Sequence, residues 1–497
     1  MEEVTEETRV AERERKQFEK MTKTPIPKLV ISLGIPTTLS MMVTSLYNLA
    51  DTYFVSLIGE DAVTAAVSNL LALMSIIQAI GFTYGMGSGA IISKLLGKRD
   101  RKSADEVASS AFAIALGSGL LILLIGFLFL KPLMWLFGSR DGATLQYSVA
   151  YATFILIAAP IMCMSFVLNN ILRAEGKAVL SMIGLITGAV VNVALDPILI
   201  FACGLGVTGA AIATCVSQTV SFLILLFMFV SGRTVVRLRL TAISRNVGVY
   251  WEIIKTGFPS FCRQILASLC SVFLNDAAFT YGGNAAQAAL GVVQKFFMLA
   301  FSIALGIGQG YQPVLGYNYS AKRFDRVRAA YLFTLGFATT LMTVFAIFCA
   351  VFASGLMHSF SLSGTATEIG VLTLRLQCLM MPLIPTNFMA GVTYQVVGNK
   401  AVASVLSASR QGLFYIPSVL ILPRAFGLLG VQSCQAVTDF CAFFFAIPFT
   451  LAFFRKLKEE QAKLGASFAE GGGQVCDEIN LIENEYTKEI KNEREEE

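Results

Sequence analysis

Two pairs of oxygen-bearing residues lie inside otherwise apolar stretches of this sequence. Asn192 and Asp196 are four residues apart, and so are Tyr47 and Asp51. Residues at this spacing share one face of a helix, so each pair can direct its oxygens towards one point. Neither carboxylate has a Lys or Arg at similar depth in its half of the chain. Each must therefore take up a proton or coordinate a hard cation such as Na⁺, because a buried unpaired charge is very costly.

A structural role is the alternative for both carboxylates. Asp196 is followed by Pro197, so its side chain could satisfy backbone groups that are freed at a helix break. Asp51 lies near the end of its apolar stretch, where water could hydrate it. The pattern favours a proton or Na⁺ site over these alternatives.

The second half of the chain places basic residues in its apolar stretches. Arg263, Lys295 and Arg410 lie there beside Asp276 and Asp439. Salt pairs of Lys295 or Arg263 with Asp439 or Asp276 would allow these groups to stay buried. A role in substrate binding is the alternative. A basic group that faces a cleft unpaired would favour an anionic or zwitterionic substrate over a lipophilic cation.

The composition indicates that membrane helices position these residues. Of 497 residues, 55% are hydrophobic and 14% are charged, whereas soluble proteins have about 45–50% and about 25%. This composition excludes a nucleic-acid-binding protein, a disordered scaffold and a disulfide-stapled secreted domain. A single histidine, His358, cannot build a His-rich metal site. We find no nucleophile–base pair, zinc-protease motif or phosphate-binding loop, and expect neither an enzyme nor a cofactor.

Apolar runs long enough to cross a bilayer recur along the chain, since about 20 residues span its core of about 30 Å. Turn residues separate them, as at Gly282-Gly283-Asn284. We predict twelve spans, at residues 29–57, 62–92, 106–130, 146–171, 179–202, 207–231, 251–280, 286–315, 328–354, 368–396, 401–422 and 427–454.

The loops between the spans differ strongly in positive charge. Loops after even-numbered spans, taken with the first residues of the following span, hold seventeen Lys and Arg residues, including Arg173 and Lys177, whereas loops after odd-numbered spans hold Lys131, Arg140 and Arg424. Positive loops stay on the cytoplasmic side. We therefore expect both termini in the cytoplasm.

The two halves of the chain repeat each other at offsets of 222 to 225 residues. The matching positions are Gly34-Ile35-Pro36 with Gly257-Phe258-Pro259, Gly81 and Gly85 with Gly306 and Gly310, Lys98-Arg99 with Lys322-Arg323, Gly176 with Gly398, and Gly206-Val207 with Gly430-Val431. Six spans return the chain to its starting side, so the repeats have the same topology. We predict an all-α membrane protein with two six-helix lobes around a central cleft, which is a transporter architecture.

Five segments follow from this division. They are a solvated cytoplasmic extension at 1–28, an N-terminal lobe at 29–231, an inter-lobe loop at 232–250, a C-terminal lobe at 251–455 and an acidic cytoplasmic tail at 456–497. Glycines in spans 2 and 8 could serve as bending points, but close helix packing is the preferred interpretation.

Several motifs, in order and in both repeats, resemble the multidrug and toxic compound extrusion (MATE) family, in particular its bacterial multidrug-resistance branch. The resemblance covers roughly residues 28 to 455. Its motifs are GIP at 34–36, SLYNLADT at 45–52, LNNILRAEG at 168–176, NVALDP at 192–197, GVTGAAIAT at 206–214 and GIGQGYQPVLGYNY at 306–319.

The resemblance implies a twelve-helix antiporter that exports organic compounds in exchange for H⁺ or Na⁺. It assigns the cation site to Asp51, Asn192, Asp196 and Thr214 by motif. It also implies that the polar residues Tyr47, Tyr151 and Asn169 line the same cavity.

In one respect the sequence departs from this family. Members that couple through the C-terminal lobe carry acidic residues on spans 7, 8 or 10, where this chain has Arg263, Lys295 and Arg375, with Asp276 near a helix end. Coupling through that lobe is therefore not expected.

The expected partners are small organic substrates and the lipid bilayer, with no nucleic acid. We expect a functional monomer in the cytoplasmic (inner) membrane of a bacterium that works by alternating access. A lipid-linked saccharide flippase of the same superfold is the alternative function, because Arg263, Lys295 and Arg410 could bind a pyrophosphate.

Overall fold

The computed structural model describes residues 6–58, 60–139, 142–360 and 364–470. This part of the chain is almost entirely helical and contains no β-strand. The helices are α1 (Glu6–Lys23), α2 (Ile26–Ser56), α3 (Asp61–Gly97), α4 (Arg101–Leu128), α5 (Leu130–Leu136), α6 (Gly142–Ala174), α7 (Ala178–Pro197), α8 (Gly206–Val230), α9 (Val247–Ser320), α10 (Phe324–Val351), α11 (Ala353–His358), α12 (Gly364–Met380), α13 (Ile384–Val397), α14 (Lys400–Ala408), α15 (Ile416–Phe426) and α16 (Leu428–Glu470).

Eleven helical segments in the described ranges are long and apolar enough to cross a membrane. The longest, α9, has 74 residues and is broken at Gly283, whose φ of 61° and ψ of −160° are not helical. At 1.5 Å per residue a helix of this length would be roughly four times as long as a bilayer core is thick. The two arms of α9 are therefore two spans, and the prediction of twelve transmembrane helices in two six-helix lobes is confirmed.

The backbone supports the internal repeat. Arg99 and Lys322, which the repeat aligns, are the only described non-glycine residues with positive φ, at 61° and 56°. Gly176 and Gly398 occupy a second aligned pair of turns, with φ of 77° and 106°. Such angles strain residues that carry a Cβ atom. The two lobes thus share unusual turns at matching positions.

Backbone contacts join the lobes at one end of the bundle, which we call the basic end because Lys94–Lys102 and Lys322–Arg328 lie there. A Cβ atom at Gly257 in α9 would touch the Thr83 carbonyl in α3, and one at Gly310 would lie 2.6 Å from Cα of Gly34. Only glycine permits such an approach. These contacts support the packing interpretation of the glycines.

The described part of the predicted N-terminal extension, helix α1, has mostly exposed charged side chains but packs one face against both lobes at the basic end. Gln17 Nε2 donates to the Glu175 carbonyl at 2.5 Å. Asn318 Nδ2 donates to the Met21 carbonyl at 3.0 Å, and the Met21 side chain is fully buried. Charge density predicts a solvated segment, and the structure buries only part of it, including the side chains of Gln17 and Met21.

The inter-lobe segment, predicted as a loop at 232–250, is held by buried acidic side chains of the N-terminal lobe. The Glu175 carboxylate accepts the N–H groups of Val235 and Val236 at 2.9 and 2.8 Å. Asp105 Oδ1 accepts the N–H of Arg237 at 2.7 Å. These bonds satisfy backbone donors that no helix partner reaches.

The chain divides into two compact units, one up to Ile447 and one from Pro448 onwards. The second unit contains the C-terminal part of α16, which stays helical to Glu470 and so continues beyond the predicted span end at residue 454. Arg140 and residues 471–497 of the predicted tail lie outside the described residues.

Candidate functional site

The N-terminal lobe contains a cluster of buried oxygens, which we call the carboxylate cluster. Asn192 and Asp196 lie one turn apart near the end of α7, and both are fully buried. Asp196 immediately precedes Pro197 and a π-helical turn at Ile198–Ala202. Wide turns of this kind are common at functional sites, since they change the direction of neighbouring side chains.

Three further helices complete the carboxylate cluster. Thr214 in α8 accepts a long hydrogen bond of 3.5 Å from Asn192 Nδ2. Asp51 in α2 lies close enough to Asp196 for the two carboxylates to interact electrostatically. The hydroxyl of Tyr151, a buried residue of α6, lies near both Asp51 and Thr214.

Most of the oxygens in the carboxylate cluster are buried and have no hydrogen-bond partner of good geometry. They are Asp51 Oδ1, Tyr151 OH, Asn192 Oδ1, Asp196 Oδ1 and Asp196 Oδ2. Buried polar groups are normally paired, so a concentration of orphaned oxygens at one place needs an explanation. A proton or a monovalent cation would satisfy them.

Two carboxylates and neutral oxygens suit a proton or Na⁺ better than a multivalent metal. The described residues contain no group of three or more His, Cys, Asp or Glu that could hold a metal ion. No ion pair joins Asp51 or Asp196 to a described basic side chain. Binding a single positive charge would lower the electrostatic cost of burying the two carboxylates together.

Gln218 is a further contact of this region that was not predicted from the sequence. It lies four residues after Thr214 on α8, and its Nε2 donates to the Tyr47 hydroxyl at 3.4 Å. Tyr47 in turn interacts electrostatically with Asp51. A second polar residue at i+4 on an apolar helix was the available signal.

Asn169, the third residue expected to line this cavity, lies elsewhere. Its Nδ2 donates to the Ser181 carbonyl at 3.3 Å, near the start of α7. Ser181 and Asp196 are fifteen residues apart on this helix, which corresponds to about 22 Å. The structure therefore brings together Tyr47, Asp51, Tyr151, Asn192, Asp196 and Thr214 but not Asn169.

The C-terminal lobe has a small cavity, which we call the arginine cavity. Its lining residues are Arg263, Phe301, Ile384, Asn387, Phe388, Gly391, Val392, Gln395, Ser407, Arg410 and Gln411. Arg410 lies in a π-helical turn at Ser409–Tyr415. Its Nε donates to Asp439 Oδ1 at 2.7 Å, and both side chains are buried.

The two arginines of the cavity have different partners. The Arg410 guanidinium lies over the Phe297 and Phe301 rings, at 5.1 and 5.4 Å from their centroids. The Arg263 guanidinium lies 5.4 Å from the Phe388 ring centroid and has no carboxylate partner among the described residues. Stacking on an aromatic face is favourable for a guanidinium but does not cancel its charge.

The predicted salt pairs of Arg263 or Lys295 with Asp276 or Asp439 do not form, since Asp439 pairs with Arg410 instead. Lys295 lies 5.6 Å from the Phe360 ring centroid and does not line the arginine cavity. Asp276 is exposed near the end of the first arm of α9. The five residues therefore do not form one network.

Arg173, predicted to be a loop charge, is a buried residue at the end of α6. Its Nη1 donates to Gln309 Oε1 in α9, and its Nε donates to Ser181 Oγ at 3.1 Å. This arginine connects the two lobes near the basic end. Its position inside the LNNILRAEG motif was the only sequence signal.

A protein-family model described as MatE matches residues 36–198 and, a second time, residues 259–421. The chain belongs to the MatE family. The two matches fall on the two repeated halves of this MatE chain. Its resemblance to transporters of the MATE type, inferred from the motifs, is confirmed.

Curated relatives of this MatE chain include multidrug export proteins. It is 28% identical over 415 residues to "Multidrug export protein MepA" of Staphylococcus saprophyticus, covering 82% of this chain and 90% of the relative. It is 27% identical over 413 residues to the protein of the same name from Staphylococcus aureus, with the same coverage.

Solved structures agree over most of the MatE chain. One is described as "Outward-facing conformation of a multidrug resistance MATE family transporter of the MOP superfamily", with a TM-score of 0.85, 27% identity and coverage of 89% of this chain and 99% of that one. A second is a MOP superfamily transporter from Pyrococcus furiosus, described with "Reverse polarity of binding pocket", with a TM-score of 0.83, 27% identity and coverage of 90% and 99%. The chain is a multi-pass membrane protein of the transporter class.

Proposed function

We propose that this MatE chain is a secondary antiporter that exports organic compounds in exchange for H⁺ or Na⁺. The multidrug export proteins among its relatives support the export of varied compounds. We place it in the cytoplasmic membrane of a bacterium, as a monomer with both termini in the cytoplasm. The basic loops support this orientation.

The carboxylate cluster carries the coupling part of the proposal. Both carboxylate oxygens of Asp196 are buried without a hydrogen-bond partner, and the carboxylate interacts electrostatically with Asp51. An ion that neutralises this cluster binds most tightly to the conformation in which the oxygens of the cluster lie close together. It can drive transport only if it prefers one conformation of the protein over the other.

Alternating access is the mechanism that fits this geometry. The lobes are in backbone contact at the basic end, through Gly257 with Thr83 and through Gly310 with Gly34. In the proposed cycle this end must separate when the opposite end closes. Ion binding at Asp51 and Asp196 neutralises charge and lets α2 repack, which weakens substrate binding and releases the substrate outside.

The test is transport in proteoliposomes under an imposed pH gradient or an imposed Na⁺ gradient. Efflux of a fluorescent cationic dye and of a fluorescent aromatic carboxylate is compared for the wild type and for Asp196→Asn. The expected result is transport that requires one of the two gradients and is lost in Asp196→Asn. The dependence identifies the coupling ion.

Asp276→Asn is the matched control, because it removes an exposed carboxylate from the other lobe. It should transport as the wild type does. Transport by Asp196→Asn at the wild-type rate under the same gradient would refute the assignment of coupling to the carboxylate cluster. A transport rate that is independent of both gradients would refute antiport itself.

A further inference from the structure

The arginine cavity differs from the carboxylate cluster in the sign of its charge. Arg263 and Arg410 both line it, whereas Asp439 balances only one of them. The cavity therefore has an excess of one positive charge. A cationic compound would be repelled from this position, and an anionic compound would be attracted to it.

The unpaired donors of the two arginines strengthen this argument. Arg410 Nη2 is buried and has no hydrogen-bond partner, although Nε of the same group binds Asp439. Arg263 contacts the Phe388 ring but no described acidic group. A buried guanidinium donor without an acceptor, as at Arg410 Nη2, is costly, and a carboxylate ligand would satisfy it with a charge-assisted hydrogen bond while pairing with the charge of the half-buried Arg263.

The remaining walls of the arginine cavity suit an aromatic group. Phe301 and Phe388 meet edge to face, with ring centroids 5.9 Å apart. The free space is about 20 Å³, which is room for about one water-sized group. A flat ring can enter only where these two phenylalanine rings separate, and it would then replace their contact with similar aromatic contacts.

We infer that the arginine cavity is a binding site for aromatic carboxylates, with Arg263 and Arg410 holding the acid group and Phe301 and Phe388 holding the ring. The inference names a substrate class for the proposed transporter and so rests on that function. Arg263 is the residue that determines specificity, since its charge has no counter-ion within the protein. Arg410 contributes a donor that Asp439 keeps oriented.

Equilibrium binding to the purified full chain in detergent tests this inference without any gradient. The probe is radiolabelled 2-naphthoate, displaced by unlabelled 2-naphthoate, by the neutral 2-naphthamide or by the cationic 2-naphthylmethylammonium. Hydrogen bonds to charged groups contribute about 1.5–3 kcal/mol, so the anion should bind at least about tenfold more tightly than the other two compounds.

Three variants separate charge from shape. Arg263→Gln should weaken 2-naphthoate binding about tenfold or more and leave binding of the neutral amide unchanged. Arg263→Lys keeps the charge but loses the planar guanidinium group, so its affinity for 2-naphthoate should lie between those of Arg263→Gln and the wild type. Phe388→Leu should weaken all three compounds alike, because it removes the ring but not the charge.

Arg375→Gln is the matched control, since Arg375 is an exposed arginine of the same lobe. It should bind 2-naphthoate as the wild type does. Each Arg263 variant is first required to be monodisperse with the wild-type unfolding midpoint. Equal affinities for the anion and the cation, or unchanged affinity in Arg263→Gln, would overturn the inference.

The outcomes distinguish the two proposals. If the wild type transports under one gradient but shows no preference for 2-naphthoate, the antiporter stands and the arginine cavity is not an anion site. If Arg263 determines 2-naphthoate binding but neither gradient drives transport, the binding site stands and the antiporter proposal fails.

Discussion

The buried ion pair between Arg410 and Asp439 predicts an asymmetry between single and double substitutions. The two residues are 6% and 2% exposed, and Asp439 Oδ1 also accepts from Gln435 Nε2 at 3.2 Å. Asp439→Asn would leave the Arg410 guanidinium buried without a counter-ion. The double variant Arg410→Gln with Asp439→Asn removes both charges and leaves two amides of suitable size.

The magnitude follows from the cost of an unpaired buried charge. Two charges whose centres are about 4 Å apart interact by about 4 kcal/mol at an effective dielectric constant near 20. Breaking a buried pair from one side typically costs about 3–5 kcal/mol, whereas replacing both partners is often nearly neutral. We expect Asp439→Asn to lose about 3–5 kcal/mol of stability and the double variant to lose at most about half as much.

Thermal unfolding followed with a thiol-reactive fluorophore measures this difference in stability. The fluorophore reacts with cysteines that unfolding exposes, and the chain has five buried free cysteines, at positions 163, 270, 349, 378 and 434. All variants are heated at the same rate in the same detergent. Lys295→Gln is the control, since Lys295 has no carboxylate partner among the described residues. A double variant that unfolds at the same temperature as Asp439→Asn would refute the reasoning.

Three further predictions concern the basic end. Burial raises the pKa of Glu14 in α1 despite the nearby Arg101 and Arg99, so α1 docks less well as the pH rises above the ordinary pKa of 4.5. In the Glu14→Gln variant α1 should dock better at pH 7, and trypsin should cleave within α1 more slowly. Gly257→Val forces a side chain against the Thr83 carbonyl. It should destabilise the contact between the lobes at the basic end by about 1–3 kcal/mol. A cysteine introduced as Ser93→Cys should then react faster with a thiol reagent added at the basic end. Glu175→Gln removes one of the two acceptors for the inter-lobe segment and should speed hydrogen exchange at Val235 and Val236; unchanged exchange would show that this carboxylate does not hold the segment.

The spans were predictable from the sequence because length and hydropathy depend only on neighbouring residues. The glycine pair at 282–283 marked the break in α9 that divides 74 helical residues into two spans. Helix ends in water were less predictable. α16 runs on to Glu470 because its charged residues after the apolar run still favour a helix.

The docking of α1 could not be predicted from its own sequence. Its burial depends on acceptors and donors that lie far away in the chain, such as Glu175 for Gln17 and Asn318 for Met21. Charge density alone is typical of a solvated segment. The same reason hid Arg173, whose partner Gln309 belongs to the other lobe.

Spacing along one helix could have separated two residues of the candidate site in advance. Tyr151 and Asn169 both lie on α6, eighteen residues apart, which is about 27 Å. They could not both line one small cavity, and the structure places only Tyr151 in the carboxylate cluster. By contrast, the partner of Asp439 could not be chosen from the sequence. Four basic residues occupy the apolar stretches of that half, and helix packing selected Arg410.

The carboxylate cluster and the arginine cavity have opposite charges, and this difference restricts how the two ligands can be exchanged. The carboxylate cluster attracts a cation in one lobe and the arginine cavity attracts an anion in the other, so the two ligands do not compete for the same atoms. Exchange then requires that each ligand favours a different conformation. Binding of the cation must lower the affinity for the anion, and binding of the anion must lower the affinity for the cation by the same factor. Helix α2 meets this demand structurally. It carries Asp51, and its Ser45 hydroxyl binds Ser302 at 2.6 Å, next to Phe301 in the wall of the arginine cavity. A movement of α2 on ion binding therefore reaches that wall through a direct contact between the lobes.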